Sequence, residues 1–312
     1  MDDAHLTIQK ILDNVGAVIS GKQEIVRGVV VAMLARGHVM LEDMPGVGKT
    51  VLVRALAKSV SCDFKRIQCT PDLLPVDITG YVDPRTRQFI PGPVFGQIVL
   101  ADELNRATPR TQSALLEAMG ESQVTVEGVT HPLPDPFFVI ATQNPVEHRG
   151  VNDLPEAQLD RFMLMLSPGY PSEQEEQAML RSRVQFDPLA SIGPVTDARQ
   201  MSALIAAVPH VHVAESLMSY IVTIVRATRP PSKLLQTGAS PRAALQLMRL
   251  AQANAMVDGR SYVIPDDVKG LAANMLPHRV SPATQPNEDI GASEWKRRCV
   301  QQILSQIRPP DL

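Results

Sequence analysis

At 312 residues the chain is longer than one small module and predicts about two domains, each able to bury a core. With 44% hydrophobic and 20% charged residues it falls outside the composition of disordered chains. The net charge of -3, from 30 basic and 33 acidic residues, leaves no global basic field to hold nucleic acid or an anionic membrane. The opening MDDAHLTIQK lacks a basic segment followed by an apolar one, and no run reaches about 18 apolar residues, so a cytoplasmic protein is expected. Residues 6–35 carry apolar positions at helical spacing, broken by Gly16, Gly21 and Gly28, and Gly37 ends them before the apolar run His38-Val39-Met40-Leu41. The glycine-rich stretch Met44-Pro45-Gly46-Val47-Gly48 follows, then the helical pattern VLVRALAKSV and a second strand at residues 64–68. Residues 71–96 are rich in Pro and Gly and suit an inserted loop or hairpin. Ile98-Val99-Leu100-Ala101 and Phe137-Phe138-Val139-Ile140-Ala141 are uniformly apolar, as strands covered on both faces must be, and Leu164-Met165-Leu166 is a weaker fifth strand.

Alternation of strand and helix predicts a mainly parallel sheet with helices on both faces. Beyond the hinge Ser167-Pro168-Gly169-Tyr170-Pro171 the patterns turn helical, in SEQEEQAMLRSR, SLMSYIVTIVRATR, SPRAALQLMRLAQANAMV and SEWKRRCVQQILSQI. The expected organisation is an α/β P-loop domain over residues 1–170 and an all-helical domain over 171–312. Cys62, Cys69 and Cys299 are odd in number and lack metal-ligand spacing, which indicates reduced thiols. His210 and His212 can share a strand face but have no evident further ligands. Arg85, Arg87, Arg106 and Arg110 have no interleaved aromatic residues and read as solvated or subunit-facing.

A glycine-rich turn between a strand and a helix is where a phosphate loop has to sit. Small residues let backbone N–H groups turn inward around the β-phosphate, and the helix N-terminus adds partial positive charge. Lys49 then reaches the β- and γ-oxygens, and the Thr50 hydroxyl ligates Mg²⁺. Asp43 stands where the full G-x-x-x-x-G-K-[ST] pattern has glycine. Asp102 and Glu103 end the buried strand, 53 residues after Lys49 (102 − 49). Asp102 can orient Mg²⁺ through water, and Glu103 can polarise the attacking water as general base. Neighbouring side chains on a strand point to opposite faces, so both can serve only if the strand has just ended. Asn144 ends the next apolar strand, where a polar group can hold the lytic water beside the γ-phosphate.

With these residues in place the chain resembles AAA+ ATPases, and the strings LEDMPGVGKT, IVLADELNRATPRTQSALLEAM, ATQNP, LPEAQLDRF and GASPRA together resemble the MoxR family over about residues 15 to 280. The resemblance implies a parallel sheet of strand order 5-1-4-3-2, a helical lid, a β-hairpin before the sensor strand, an insertion at residues 71–96 and a hexameric ring. It implies ATP and Mg²⁺ as ligands, held by Asp43, Met44, Pro45, Gly46, Val47, Gly48, Lys49, Thr50 and Val51, with Gly21 and Lys22 near adenine. On the same ground Asn144 resembles sensor 1, Arg161 the arginine finger and Arg242 sensor 2. Residues 148–153 depart from the family's usual acidic residue and Tyr-Pro, which leaves Arg149 a rival to Arg161. The implied role is chaperone-like maturation, assembly or metal or cofactor insertion in a client protein, with a von Willebrand factor A domain partner. Nucleic-acid motors and magnesium-chelatase motor subunits share the phosphate machinery and stand as alternatives.

Overall fold

Five parallel strands form the central sheet of the computed structural model, which describes residues 2–19, 21–42, 48–144, 151–170, 172–183, 188–285 and 290–310. Helices α1 (Asp2–Val18) and α2 (Gln23–Leu34) lead into strand β1 (Val39–Glu42). Helix α3 (Lys49–Ser59) and β2 (Phe64–Gln68) follow. The Pro- and Gly-rich stretch then forms the short helix α4 (Pro75–Thr79) and the hairpin of β3 (Gly80–Val82) and β4 (Phe89–Pro91). Strand β5 (Ile98–Asp102) leads to α5 (Pro109–Glu121). Thr108 starts that helix by accepting a hydrogen bond from the Thr111 N–H, with Pro109 in the first turn where no backbone donor is needed. A second hairpin, β6 (Gln123–Val126) and β7 (Val129–Pro132), precedes β8 (Phe138–Gln143); α6 (Glu156–Leu159) and β9 (Leu164–Leu166) complete the domain.

The sheet order is β2-β5-β8-β1-β9, with every pair parallel. Counting only these five strands along the chain, this is the 5-1-4-3-2 order read from the other edge. Residues 39–41 of β1, 98–101 of β5 and 138–141 of β8 are buried because helices cover both faces, which is why these runs are apolar without alternation. On one face Val39, Leu41, Leu100 and Ile140 join a core with α1, α2 and α3; on the other Met40, Val99, Val139 and Met165 pack with Leu115 and Leu116 of α5.

Beyond residue 170 come α7 (Glu173–Arg183), α8 (Pro188–Ser191), α9 (Ala198–Ala207) and α10 (Glu215–Ala227), then β10 (Leu235–Thr237) and α11 (Pro241–Val257). Helix α12 (Pro265–Met275), β11 (Ser281–Pro282) and α13 (Ala292–Gln306) end the chain. The antiparallel pair β10–β11 departs from an all-helical reading; with three and two residues it is too short to leave a period in the sequence. His210 ends a 3-10 turn and His212 forms an isolated bridge with Tyr262, so they do not share a strand face. Among the described residues no group of three or more His, Cys, Asp or Glu side chains is placed to hold a metal ion, and no helix is long and apolar enough to cross a membrane.

Helices α9 to α13 contribute to the same core as α1, α2 and α3, so the lid is packed against the sheet domain rather than tethered to it. Buried Arg279 fastens the junction: its guanidinium donates to the Asp160 carboxylate at 2.7 Å, the Phe162 carbonyl at 2.8 Å and the Gln246 side chain at 2.7 Å. Burial pushes the Arg279 pKa down to about 10, against the pull of Asp160.

His38, buried just before β1, is held as a neutral ring. Its Nδ1 accepts from the Val139 N–H at 3.0 Å and its Nε2–H donates to the Met119 carbonyl at 3.2 Å. Burial lowers its pKa from 6.5 to about 4; the Met119 carbonyl opposes this and Arg242 adds to it. Between those values the unfolded chain binds a proton that the folded chain refuses, so this contribution to stability rises with pH across the window. On acidification from pH 6.5 to 4 the His38 component should cost on the order of 3 kcal/mol. Denaturant unfolding of wild type and His38→Gln across that window measures it. The glutamine keeps an acceptor and a donor, and the variant should lose the component; parallel pH profiles for the two proteins would contradict the assignment.

Candidate nucleotide site

The carboxyl ends of β5 and β8 and the amino end of α3 meet around a cavity of about 360 Å³ lined by Gly48, Lys49, Thr50, Val51, Arg66, Asp102, Glu103, Thr142, Gln143 and Asn144. Gly48 caps α3 with φ of 89°, in the left-handed region that favours glycine. The first turn of α3 therefore presents backbone N–H groups and the positive end of its dipole to the cavity. Asp43, Met44, Pro45, Gly46 and Val47, and with them most of the expected phosphate loop, lie outside the described residues, as does Arg149.

Strand β5 ends at Asp102, and Glu103 takes φ of 57°, a left-handed turn uncommon for a side chain of this size. That turn brings two consecutive carboxylates to one cavity. The Thr142 hydroxyl locks it, donating to Asp102 Oδ1 at 2.8 Å while accepting from the Glu103 N–H at 2.8 Å. From the edge strand β2, Arg66 donates to Asp102 at 2.6 Å and Gln68 to Glu103 at 3.2 Å; Arg106 approaches Glu103 at 3.0 Å. Arg66, Gln68 and Thr142 were not singled out by the sequence reading. Their signal is the parallel register Gln68↔Asp102, which with period-two alternation puts Arg66 and Gln68 on the face of Asp102. Cys69 behind the site is inert as a nucleophile: burial, then Asp102 and Glu103, push its thiol up to about 12. Thr50 and Asp102 both line this cavity, a hydroxyl and a carboxylate whose hard oxygens fit Mg²⁺ completed by water and phosphate.

The other expected residues lie apart from this cavity. Lys22 donates to the carbonyls of Pro168 at 2.6 Å and Gly169 at 2.7 Å, fastening α2 to the hinge. Gly21 has φ of 76°, and a Cβ there would meet the Glu175 side chain at 1.6 Å. Arg161 and Arg242 share a second cavity of about 500 Å³ with His38, Gly120 and Gln246, and none of its lining residues belongs to the first. The Arg161 guanidinium donates to the Leu116 carbonyl.

Residues 38–164 match the family described as ATPase family associated with various cellular activities (AAA), and residues 231–296 match the AAA lid domain. Together with the sheet order these define a nucleotide-binding ATPase of the AAA+ class with a helical lid. The chain is 48% identical to the uncharacterised protein YeaC of Bacillus subtilis, over 99% of this chain and 97% of that protein. It is 43% identical to Chaperone MoxR1 of Mycobacterium tuberculosis, over 88% of this chain and 75% of that protein. A solved structure of an ATPase candidate from Cytophaga hutchinsonii superposes with a TM-score of 0.89 at 35% identity, covering 99% of this chain and 96% of that one. The chain belongs to the MoxR family of AAA+ ATPases.

Thr142 is 1% exposed, so Thr142→Val should strand the Glu103 N–H and cost about 1–3 kcal/mol despite its similar shape, whereas Thr142→Ser should keep the bond. Urea midpoints of the three proteins test this, and a valine variant as stable as wild type would contradict the role given to the hydroxyl.

Proposed function

We propose that the chain binds ATP with Mg²⁺ at the amino end of α3, hydrolyses it to ADP and phosphate, and uses the cycle to remodel a protein client from within a homo-oligomeric, hexameric ring in the cytoplasm. The observation that carries this reading is the convergence of Lys49, Thr50, Asp102, Glu103 and Asn144 on one cavity at a helix N-terminus. Lys49 neutralises the β- and γ-phosphates from a fixed helix end. Thr50 and Asp102 hold Mg²⁺, which when bound neutralises charge on the β- and γ-oxygens. Glu103 takes a proton from the water that attacks the γ-phosphorus as the bond to the ADP oxygen breaks, and Asn144 orients that water.

Arg161 and Arg242 line a cavity separate from the chain's own phosphate cavity, which favours service to a neighbouring subunit's nucleotide; Arg149 remains the rival finger. The position of Gly21 and Lys22 beside the hinge suits the edge of an adenine pocket. The printed name of Chaperone MoxR1 supports a chaperone-like role, in which maturation, assembly or metal or cofactor insertion in a client is assisted by a von Willebrand factor A domain partner. The acidic net charge favours a protein client over nucleic acid.

Glu103→Gln should retain ATP and slow hydrolysis by about 10²–10⁴-fold. Mixed rings test the trans reading, since an arginine finger contributes about 10³–10⁵ in rate. Lys49→Ala and Arg161→Ala proteins, each nearly inactive alone, should recover phosphate release when co-assembled, because one supplies the arginine and the other the pocket. Rings shown to be mixed that stay inactive contradict the assignment to Arg161, and recovery with Arg149→Ala in its place moves the role to Arg149. Single-stranded DNA should leave the rate unchanged; stimulation would favour a nucleic-acid motor.

A further inference from the structure

The carboxylate assigned to the metal carries a guanidinium on one of its oxygens. Asp102 Oδ1 accepts from the Thr142 hydroxyl at 2.8 Å, on the neighbouring inner strand β8, whereas Oδ2 accepts from Arg66 at 2.6 Å, on the edge strand β2. The same Arg66 nitrogen donates to Gln68 Oε1 at 2.5 Å. In the parallel register Arg66 stands opposite Leu100, two residues short of Asp102, so its side chain runs along β2 toward the carboxyl end of the sheet to reach the carboxylate. There it lines the cavity together with Lys49 and Thr50.

Stability does not account for this pair. The Arg66 side chain is 47% exposed and that of Asp102 17%, and a single ion pair open to solvent on one side contributes little once screening and side-chain entropy are counted. Its effect on the cavity is larger. A divalent cation brought to Asp102 meets the guanidinium within a few ångströms, where like charges repel even through water. Half-exposed, the arginine has room to turn aside. Because it lines the same cavity as Lys49, it also supplies positive charge to phosphates that enter without a metal. We propose that Arg66 is a positioning residue for the metal, a tethered cation that competes with Mg²⁺ for Asp102 Oδ2. It makes the site hold Mg²⁺ more weakly than Thr50 and Asp102 alone would, and it retakes the carboxylate as the metal leaves with the product. The proposal rests on the reading that this cavity holds ATP phosphates with Mg²⁺.

Titration of the full-length protein with a fluorescent, non-hydrolysable β,γ-imido analogue of ATP, once with saturating Mg²⁺ and once with EDTA, tests the proposal without turnover. The quantity read is the dissociation constant in EDTA divided by that in Mg²⁺. Arg66→Met keeps the apolar stem and removes the charge. It should weaken binding in EDTA but not in Mg²⁺, raising the ratio by about 5-fold or more, the lower end of usual couplings between linked ligands. By the same linkage the analogue-bound variant should hold Mn²⁺, used as a paramagnetic substitute for Mg²⁺, more tightly than wild type in an electron paramagnetic resonance titration. Arg66→Lys keeps the charge and should stay near the wild-type ratio, and Arg66→Gln replaces the methionine variant should that one fail to fold. A merely structural role would weaken binding in both conditions alike and leave the ratio where it was. A ratio in the methionine or glutamine variant no higher than in wild type, or one in Arg66→Lys that rises as far as theirs, overturns the proposal alone. Failure of wild type to bind the analogue in either condition overturns the nucleotide reading as well.

Discussion

The left-handed turn at Glu103 is the constraint on which the site depends. A strand continued by one residue would send Asp102 and Glu103 to opposite faces of the sheet, one toward α3 and one toward α5. Ending β5 at Asp102 and reversing φ at Glu103 keeps both acids at the cavity beside the amino end of α3. A non-glycine residue in that region costs on the order of 1–3 kcal/mol and persists only where its surroundings over-determine it. Here the Thr142 hydroxyl supplies the determination, because a single oxygen serves the carboxylate of one residue and the N–H of the next.

The same economy of polar groups runs along the top of the sheet. Asp102 and Thr142 lie on the α3 face, and Glu42 and Gln143 on the other, so adjacent strands end in two polar clusters back to back. One cluster faces the cavity at the amino end of α3 and the other faces α13. The lid is further secured by Arg279, whose buried guanidinium is bonded to Asp160 and to carbonyls around Phe162. The segment that carries Arg161 is thereby packed to the lid as well as to α5. Arg161 and Arg242 then share a cavity distinct from the one at Lys49.

Much of the fold was legible because burial on both faces writes uninterrupted apolar runs, as at Val99-Leu100 and Val139-Ile140. The adjacency of Asp102 and Glu103 at a strand end was legible for the same reason. Their partners were not, since Arg66 and Gln68 lie more than thirty residues away, and which strand neighbours β5 is a property of the register rather than of either segment. Lys22 shows the limit from the other side. Its bonds run to hinge carbonyls 146 and 147 residues later, a distance at which no local pattern speaks. The pair β10–β11 escaped because two or three residues carry no period, and the left-handed φ of Glu103 because a glutamate gives no sign of it.

The central claim is that the cavity at the amino end of α3 is an ATP site built around Lys49. Calorimetric titration of ATP with Mg²⁺ into wild type and Lys49→Ala tests it most directly. Saturable binding to wild type, weakened at least about tenfold in the variant by loss of a charge-assisted contact, is the predicted result. Equal affinity in the two proteins, or no binding to wild type, would contradict the account.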